Sequence, residues 1–210
     1  MSRKDKINEI LTNREVTTLL HFTQLENLPD IMKNGLKTKD DLNESAKCND
    51  EHRLDNHTDT ISFSIHHPND PMFFKYRKQN PKADWCVLAV SASILLEKDA
   101  LFCNRNAATS TISSKSEDEL RSTDALENMF TEIPEVEDRE EQYLNKFDPT
   151  DVQAEILIKG NIKPSDIYAV VFTSRQAKKD NQSIIGERIV RIHGENVTYL
   201  SRRDIQRKYN

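Results

Sequence analysis

A chain of 210 residues with 36% apolar and 31% charged side chains has enough apolar material for one core under a heavily solvated surface. No run approaches the roughly 18 apolar residues of a membrane span, and the opening MSRKDKINEI lacks the apolar stretch of a signal peptide, so the expectation is a cytoplasmic protein with no membrane partner. The net charge of -5 conceals a division: residues 131–151 hold eight acids against Arg139 and Lys146, whereas residues 175–210 hold nine Lys or Arg against four acids, a basic tail that favours a polyanionic partner.

In chain order, residues 2–14 read as a polar helix with Ile7, Ile10 and Leu11 on one side. TTLLHFT (17–23) reads as a strand. A helix follows in TQLENLPDIMKNGL, with Thr23 and Glu26 at capping-box spacing, a stripe of Leu25, Leu28, Ile31 and Met32, and Gly35 at the C-cap. Pro29 implies a kink or a late helix start. Residues 37–59 are polar loop. TISFSI (60–65) alternates, with Ile61, Phe63 and Ile65 against Ser62 and Ser64. Asp70 as N-cap and Pro71 at the first helical position open a helix that ends near Pro81. WCVLAVS (85–91) is a buried strand, SILLEKDAL a short helix or turn, and LFCN a further strand. Residues 107–150 are Ser/Thr-rich and then acidic, with one helix near 122–130. That is long for a loop, and it reads as an acidic mobile insertion at about 109–150. Strands are expected at 154–159, 167–173 and near 196–200.

Strands dominate the middle and end, helices the first third, and neither the alternation of a doubly wound sheet nor a Gly-rich phosphate loop is present. The expected class is α+β, with a split, mainly antiparallel sheet and flanking helices, in a single domain over 1–210. Cys48, Cys86 and Cys103, odd in number and far apart, fit a reducing compartment, and no CxxC or HExxH spacing predicts a metal site.

Three polar clusters interrupt apolar strands: His21 with Thr23, Ser62 with Ser64, and Gln153 with Glu155, each pair at i and i+2. Each alone is compatible with a core histidine, a helix cap or a solvent-facing edge. In DVQAEILIKG, however, the carboxylate of Glu155 stands at the root of a strand apolar enough to be buried, where an ionised group is costly without partners.

These residues resemble a known family. LLHFTQLENLPDIMKNGL, RLDNHTDTISFSIHHPNDPMFFKYR, FCNRNAA and DVQAEILIKG are similar to the DarT toxins, ADP-ribosyltransferases that use NAD to modify bases in DNA. The resemblance runs from about residue 17 to 173. It implies a mono-ADP-ribosyltransferase fold and activity, NAD as co-substrate without a metal, and single-stranded nucleic acid (DNA favoured, RNA possible) as acceptor. It also implies a toxin–antitoxin or phage-defence setting with a cognate antitoxin of macrodomain type or another neutraliser. By the same resemblance Glu155 and Arg53 are catalytic, with Arg53 gripping the pyrophosphate. His21, Phe22, Thr23, Asn27, Met72 and Tyr76 bind NAD. The resemblance sets Gln153 toward the acceptor; by charge rather than resemblance, Lys75, Arg77 and Lys78 of KYRKQ, with the basic C-terminal stretch, are expected to hold nucleic-acid phosphates. A transferase acting on protein and a non-catalytic NAD- or nucleic-acid-binding module are the alternatives.

Overall fold

The computed structural model describes residues 1–42, 57–195 and 197–209. Among them, strands β1 (Thr18–Gln24), β2 (Thr60–Ile65), β3 (Trp85–Ser91), β4 (Ala100–Cys103), β5 (Glu155–Lys159), β6 (Ile167–Phe172) and β7 (Ile189–Ile192) form one sheet in the order β4-β5-β2-β1-β3-β6-β7. Every neighbouring pair is antiparallel except β6 and β7, which are parallel and joined through a helix. The α+β class read from the sequence is what the chain adopts.

Among the described residues, eight helices flank the sheet: α1 (Arg3–Arg14), α2 (Leu28–Asn34), α3 (Asp70–Gln79), α4 (Ser110–Ser113), α5 (Glu117–Arg121), α6 (Thr123–Asn128), α7 (Arg175–Ile185) and α8 (Arg203–Tyr209). One face of the sheet carries the main core. Ile61, Phe63, Ile156, Ile158, Leu88 and Val170 meet Ile7 and Leu11 of α1, Leu28 and Ile31 of α2, Leu126 of α6 and Ile185 of α7. Fully burying each such side chain stabilises the fold by about 2 kcal/mol.

The opposite face is divided. Toward β3 and β6, Leu20, Trp85, Val87 and Val171 pack with Phe73 of α3. Toward β4 and β5, Leu101, Cys103 and Leu157 pack with Ala107, Ile112 of α4 and Leu120 of α5. Ser62 pairs with Leu157 and Ser64 with Leu20, so both serines lie on this face, between the two apolar clusters. The strands part at the same place. β1 and β2 pair only at Leu19–Ile65 and Leu20–Ser64, after which β1 continues along β3 and β2 along β5.

Local chemistry departs from the sequence reading at several points. Thr23 stays in β1 and accepts from Asn27 Nδ2 at 3.0 Å in place of forming a capping box. Leu25–Asn27 form one 3₁₀ turn, and α2 starts late, with Pro29 in its first turn, where a missing N–H costs nothing. Asn69, not Asp70, caps α3, accepting from Met72 N–H at 3.1 Å. Gly35 terminates α2 at φ +84°, and a Cβ there would stand 2.0 Å from the Ile162 carbonyl oxygen. The strand expected near 196–200 is replaced by β7, an isolated bridge between His193 and Val197, and turns. Helices α7 and α8, neither predicted, follow β6 and close the chain.

Residues 107–150 carry α4, α5 and α6, and the acidic stretch after them is pinned by arginines. Asp148 has no exposed surface and accepts two bonds from Arg207, at 2.7 and 2.8 Å. Arg139 donates to the carbonyls of Asp148 and Asn145, at 2.7 and 2.9 Å. Arg203 donates to the carbonyls of Pro149 and Thr150, at 2.7 and 3.1 Å. Burial draws the Arg203 guanidinium down to about 10, against the opposing pull of Asp148. Two arginines of the basic tail therefore serve the interior and not a polyanion.

Candidate active site

Glu155 is the first residue of β5, on the divided face, and is 6% exposed. One carboxylate oxygen, Oε1, accepts from Ser62 Oγ at 3.2 Å; the other, Oε2, accepts from the Ala107 N–H at 2.9 Å. Its strand places Leu157 in the apolar cluster behind it and Ile156 and Ile158 in the core beneath. Burying a carboxylate is costly unless donors are aimed at it, and the Ser62 hydroxyl and the Ala107 N–H are so aimed.

His21 stands where β1 leaves β2. Its Nδ1 lies 2.9 Å from the Ser62 carbonyl, and since a carbonyl only accepts, Nδ1 carries the proton. That bond satisfies a strand carbonyl at the split. His21 thus touches the backbone of the residue whose hydroxyl holds Glu155. Its ring also tilts against Phe63, 5.7 Å between centroids.

Phe22 points to the divided face and stacks on Phe73, 4.5 Å between centroids, with Tyr76 and Trp85 at 6.2 and 6.3 Å. Two buried donors border this face without a hydrogen-bond partner among the described residues, Trp85 Nε1 and Asn69 Nδ2. Asn69 is tied to the face through its N–H, which donates to Ser64 Oγ at 3.0 Å. Aromatic rings, unspent donors and a buried carboxylate beside parted strands suit a nucleotide-sized ligand.

The structure thus brings together Glu155, Ser62, the Ala107 N–H and His21, and separately Phe22 with Tyr76. Thr23 and Asn27 bond to each other just beyond the split. Met72 is half-buried in the first turn of α3. Gln153 lies in a turn ahead of β5, its N–H bonded to Asp151 Oδ1 at 2.8 Å, so strand alternation does not set its direction. On α3, Lys75 and Lys78 are exposed, whereas Arg77 lies over the Phe73 ring and donates to the Leu200 carbonyl at 3.3 Å. Arg53, together with its neighbour His52, lies outside the described residues. The Ala107 N–H is a partner of Glu155 that residue types could not reveal, because a backbone donor has no sequence signature. The Ser62 partner was visible as a serine facing into an apolar strand.

Cys86, on the core face, is pushed up to about 12 by burial, which makes it inert as a nucleophile. Among the described residues, no three His, Cys, Asp or Glu side chains gather as a metal site, and no helix is long and apolar enough to cross a membrane.

A mainly antiparallel sheet that splits beside a strand rooted in a buried glutamate is the arrangement that the resemblance to ADP-ribosyltransferases implies. The model of the family described as DarT, ssDNA thymidine ADP-ribosyltransferase, matches residues 20–199, and the chain belongs to that family. Among solved structures, Thermus sp. 2.9 DarT in complex with NAD+ is similar with a TM-score of 0.57 at 14% identity, covering 87% of this chain and 98% of that one. The same protein in complex with ADP-ribosylated ssDNA gives a TM-score of 0.57 at 15% identity, covering 87% and 97%. Thermosipho africanus DarTG in complex with ADP-ribose gives 0.58 at 16%, covering 87% of this chain and 50% of that one, so the chain spans half of the Thermosipho chain. No curated protein matches.

Proposed function

We propose that this chain cleaves NAD+ and transfers its ADP-ribose to a thymidine base of single-stranded DNA. The bond between nicotinamide and ribose breaks, a bond from ribose to the base forms, and the base releases a proton. The observation that carries the reading is the Glu155 carboxylate, buried where the strands part and held by the Ser62 hydroxyl and the Ala107 N–H. As the glycosidic bond breaks, positive charge builds on the ribose. A fixed carboxylate in a water-poor site stabilises that charge more than it stabilises the ground state. Ser62 and the Ala107 N–H hold the carboxylate in place, so no reorganisation is needed as the charge develops.

In this reading His21, Phe22, Thr23 and Asn27 line the NAD side, with Tyr76 and Met72 closing it from α3. The aromatic cluster around Phe22 and the unspent donors of Trp85 and Asn69 support that assignment. Arg53 is assigned to the pyrophosphate, by the family resemblance and by the fit of its planar fork to oxyanions. Gln153, two residues before Glu155, faces the acceptor. Lys75 and Lys78, exposed on α3, hold phosphates of the strand; Arg77 is given a lesser part, since its guanidinium already has a carbonyl and a ring. A base must leave its stack before its reactive edge can be reached, which favours single strands.

A chain with this activity is a toxin and needs a cognate neutraliser, which we assign to a macrodomain-type antitoxin. Supply of NAD+ and DNA places the reaction in the cytoplasm. The test is incubation of the purified protein with labelled NAD+ and separate pools of single-stranded DNA, duplex DNA, RNA and protein. Label on single-stranded DNA alone is the expected result, and label confined to protein would overturn the proposal.

A further inference from the structure

The bend that leaves β4, residues 104–107, reaches the site from two directions. Ala107 N–H donates to Glu155 Oε2 at 2.9 Å. Two residues earlier, Arg105 extends toward the loop that precedes β5. Its Nη2 donates to the Pro134 carbonyl at 3.0 Å and lies 3.4 Å from Glu135 Oε2, while its Nε lies 3.8 Å from Asp151 Oδ2. Asp151 uses its other oxygen to accept from Gln153 N–H at 2.8 Å, and its carbonyl accepts from Ala154 N–H at 3.1 Å. Asp151 thereby shapes the turn that carries Gln153 into Glu155.

The contacts of Arg105 are unequal. Glu135 is 81% exposed on its side chain, so that pair is screened and weak. Asp151 is 15% exposed and Arg105 24%. The Arg105 Nε is buried and has no hydrogen-bond partner among the described residues, so only the attraction to Asp151 compensates that donor. One bend therefore fixes the carboxylate through Ala107 and the Gln153 turn through Arg105, 48 residues away in sequence.

We propose that Arg105, acting through Asp151, is a positioning residue that sets the Gln153 turn against the acceptor base. This rests on the reading of the site given above. It predicts an effect on the DNA side of the reaction and none on the NAD side, since Ala107 and not Arg105 holds Glu155. Arg105→Lys keeps a charge near Asp151 but cannot also reach the Pro134 carbonyl in the same geometry. Asp151→Asn keeps an oxygen for the Gln153 N–H and removes the charge that faces Arg105.

The experiment is steady-state transfer onto a single-stranded oligonucleotide by the full chain, with calorimetric titration of NAD+ into each variant. Arg105→Ala and Asp151→Asn are each expected to raise KM for the oligonucleotide about tenfold, with the NAD+ Kd within about twofold of the unaltered protein. The double variant is expected to be no worse than either single, because both remove one interaction. Arg105→Lys should recover part of the loss. Additive effects, equal weakening of NAD+ and oligonucleotide, or an Arg105→Ala protein with unchanged KM would overturn the inference while leaving the proposed function intact. Absence of transfer by the unaltered chain would overturn the proposed function and this inference with it.

Discussion

Replacing Glu155 by Gln separates charge from shape. The carboxylate accepts from Ser62 Oγ at 3.2 Å and from Ala107 N–H at 2.9 Å. A glutamine can keep its oxygen toward Ala107, which can only donate, and turn its NH₂ toward Ser62, whose hydroxyl can reverse and accept. Both contacts survive as neutral bonds, so the stability change is expected to stay within about 1 kcal/mol. The reaction loses more. Opposite unit charges about 4 Å apart attract by about 4 kcal/mol at an effective dielectric constant near 20, and a loss of that size slows the chemical step roughly a thousandfold. Single-turnover transfer of ADP-ribose to an oligonucleotide, read by mass spectrometry, measures the rate. Denaturant unfolding of the same preparation measures the fold. A folded Glu155→Gln protein retaining more than about a tenth of the rate would refute the claim that the carboxylate charge drives catalysis, because about 1.4 kcal/mol would then be its whole contribution.

Ser62→Ala removes the hydroxyl donor on Glu155 and is expected to slow transfer about tenfold with the fold retained, a charge-assisted bond being worth about 1.5–3 kcal/mol; unchanged single-turnover rates would count against its role. Asp148→Ala removes the buried partner of half-buried Arg207 and should cost about 3 kcal/mol of stability, read from the denaturant midpoint. His66, whose Nε2 accepts from Thr17 N–H at 3.0 Å, has its pKa drawn down to about 4, chiefly by burial, with Arg207 acting the same way and Asp148 opposing. The unfolded chain takes up that proton near pH 6.5 and the fold does not. Stability is therefore full above about 6.5 and falls by up to about 3 kcal/mol as pH drops toward 4. A flat profile over that window would show that His66 does not titrate as described.

Much of this fold was legible because its strands are apolar and alternate. β2 and β5 carry Ile and Phe at every second position, and the core face of the sheet follows from that. Helix α6 and the late start of α2 were signalled by local chemistry. Three features were missed, for different reasons. α7 carries Ala177, Ile184 and Ile185 at i, i+7 and i+8 on its core face, a helical pattern overlooked in a largely polar stretch, and α8 is short and polar, with Arg203 its buried position. The capping box at Thr23 failed because β1 keeps Thr23 in the sheet, tertiary pairing outweighing a local preference. The order in residues 131–151 depends on contacts with arginines more than fifty residues downstream, and a charge count cannot tell a solvated acid from Asp148. The sequence singled out Glu155 and the Ser62/Ser64 pair, and the structure brings Ser62 within 3.2 Å of that carboxylate, whereas the contact from the Ala107 N–H left no mark in the sequence.

The partition of the basic residues carries a last expectation. On averaged charge, the C-terminal stretch is the natural seat for a polyanion. The structure removes Arg203 and Arg207 from that role by burying them against residues 148–150, and removes Arg188 by setting it on the carbonyls of Ile167, Ile185 and Pro164. On α3, by contrast, Lys75 and Lys78 are exposed and appear in no ion pair among the described residues. A lysine bound to phosphate acts as a point charge and releases condensed counterions, which makes binding salt-dependent without choosing a sequence. Neutralising both lysines is therefore expected to weaken binding to all single strands alike and to flatten the dependence of log K on log salt by about 0.7 per lost contact. Preference for the acceptor base should persist, because the proposed acceptor contact is the Gln153 turn and neither lysine. Arg207→Gln is the contrasting variant, expected to lower the unfolding midpoint and leave the salt slope of the folded protein unchanged. Fluorescence anisotropy of labelled oligonucleotides across a salt series decides between them, and a slope that responds to Arg207 and not to the two lysines would return the polyanion to the C-terminal helix.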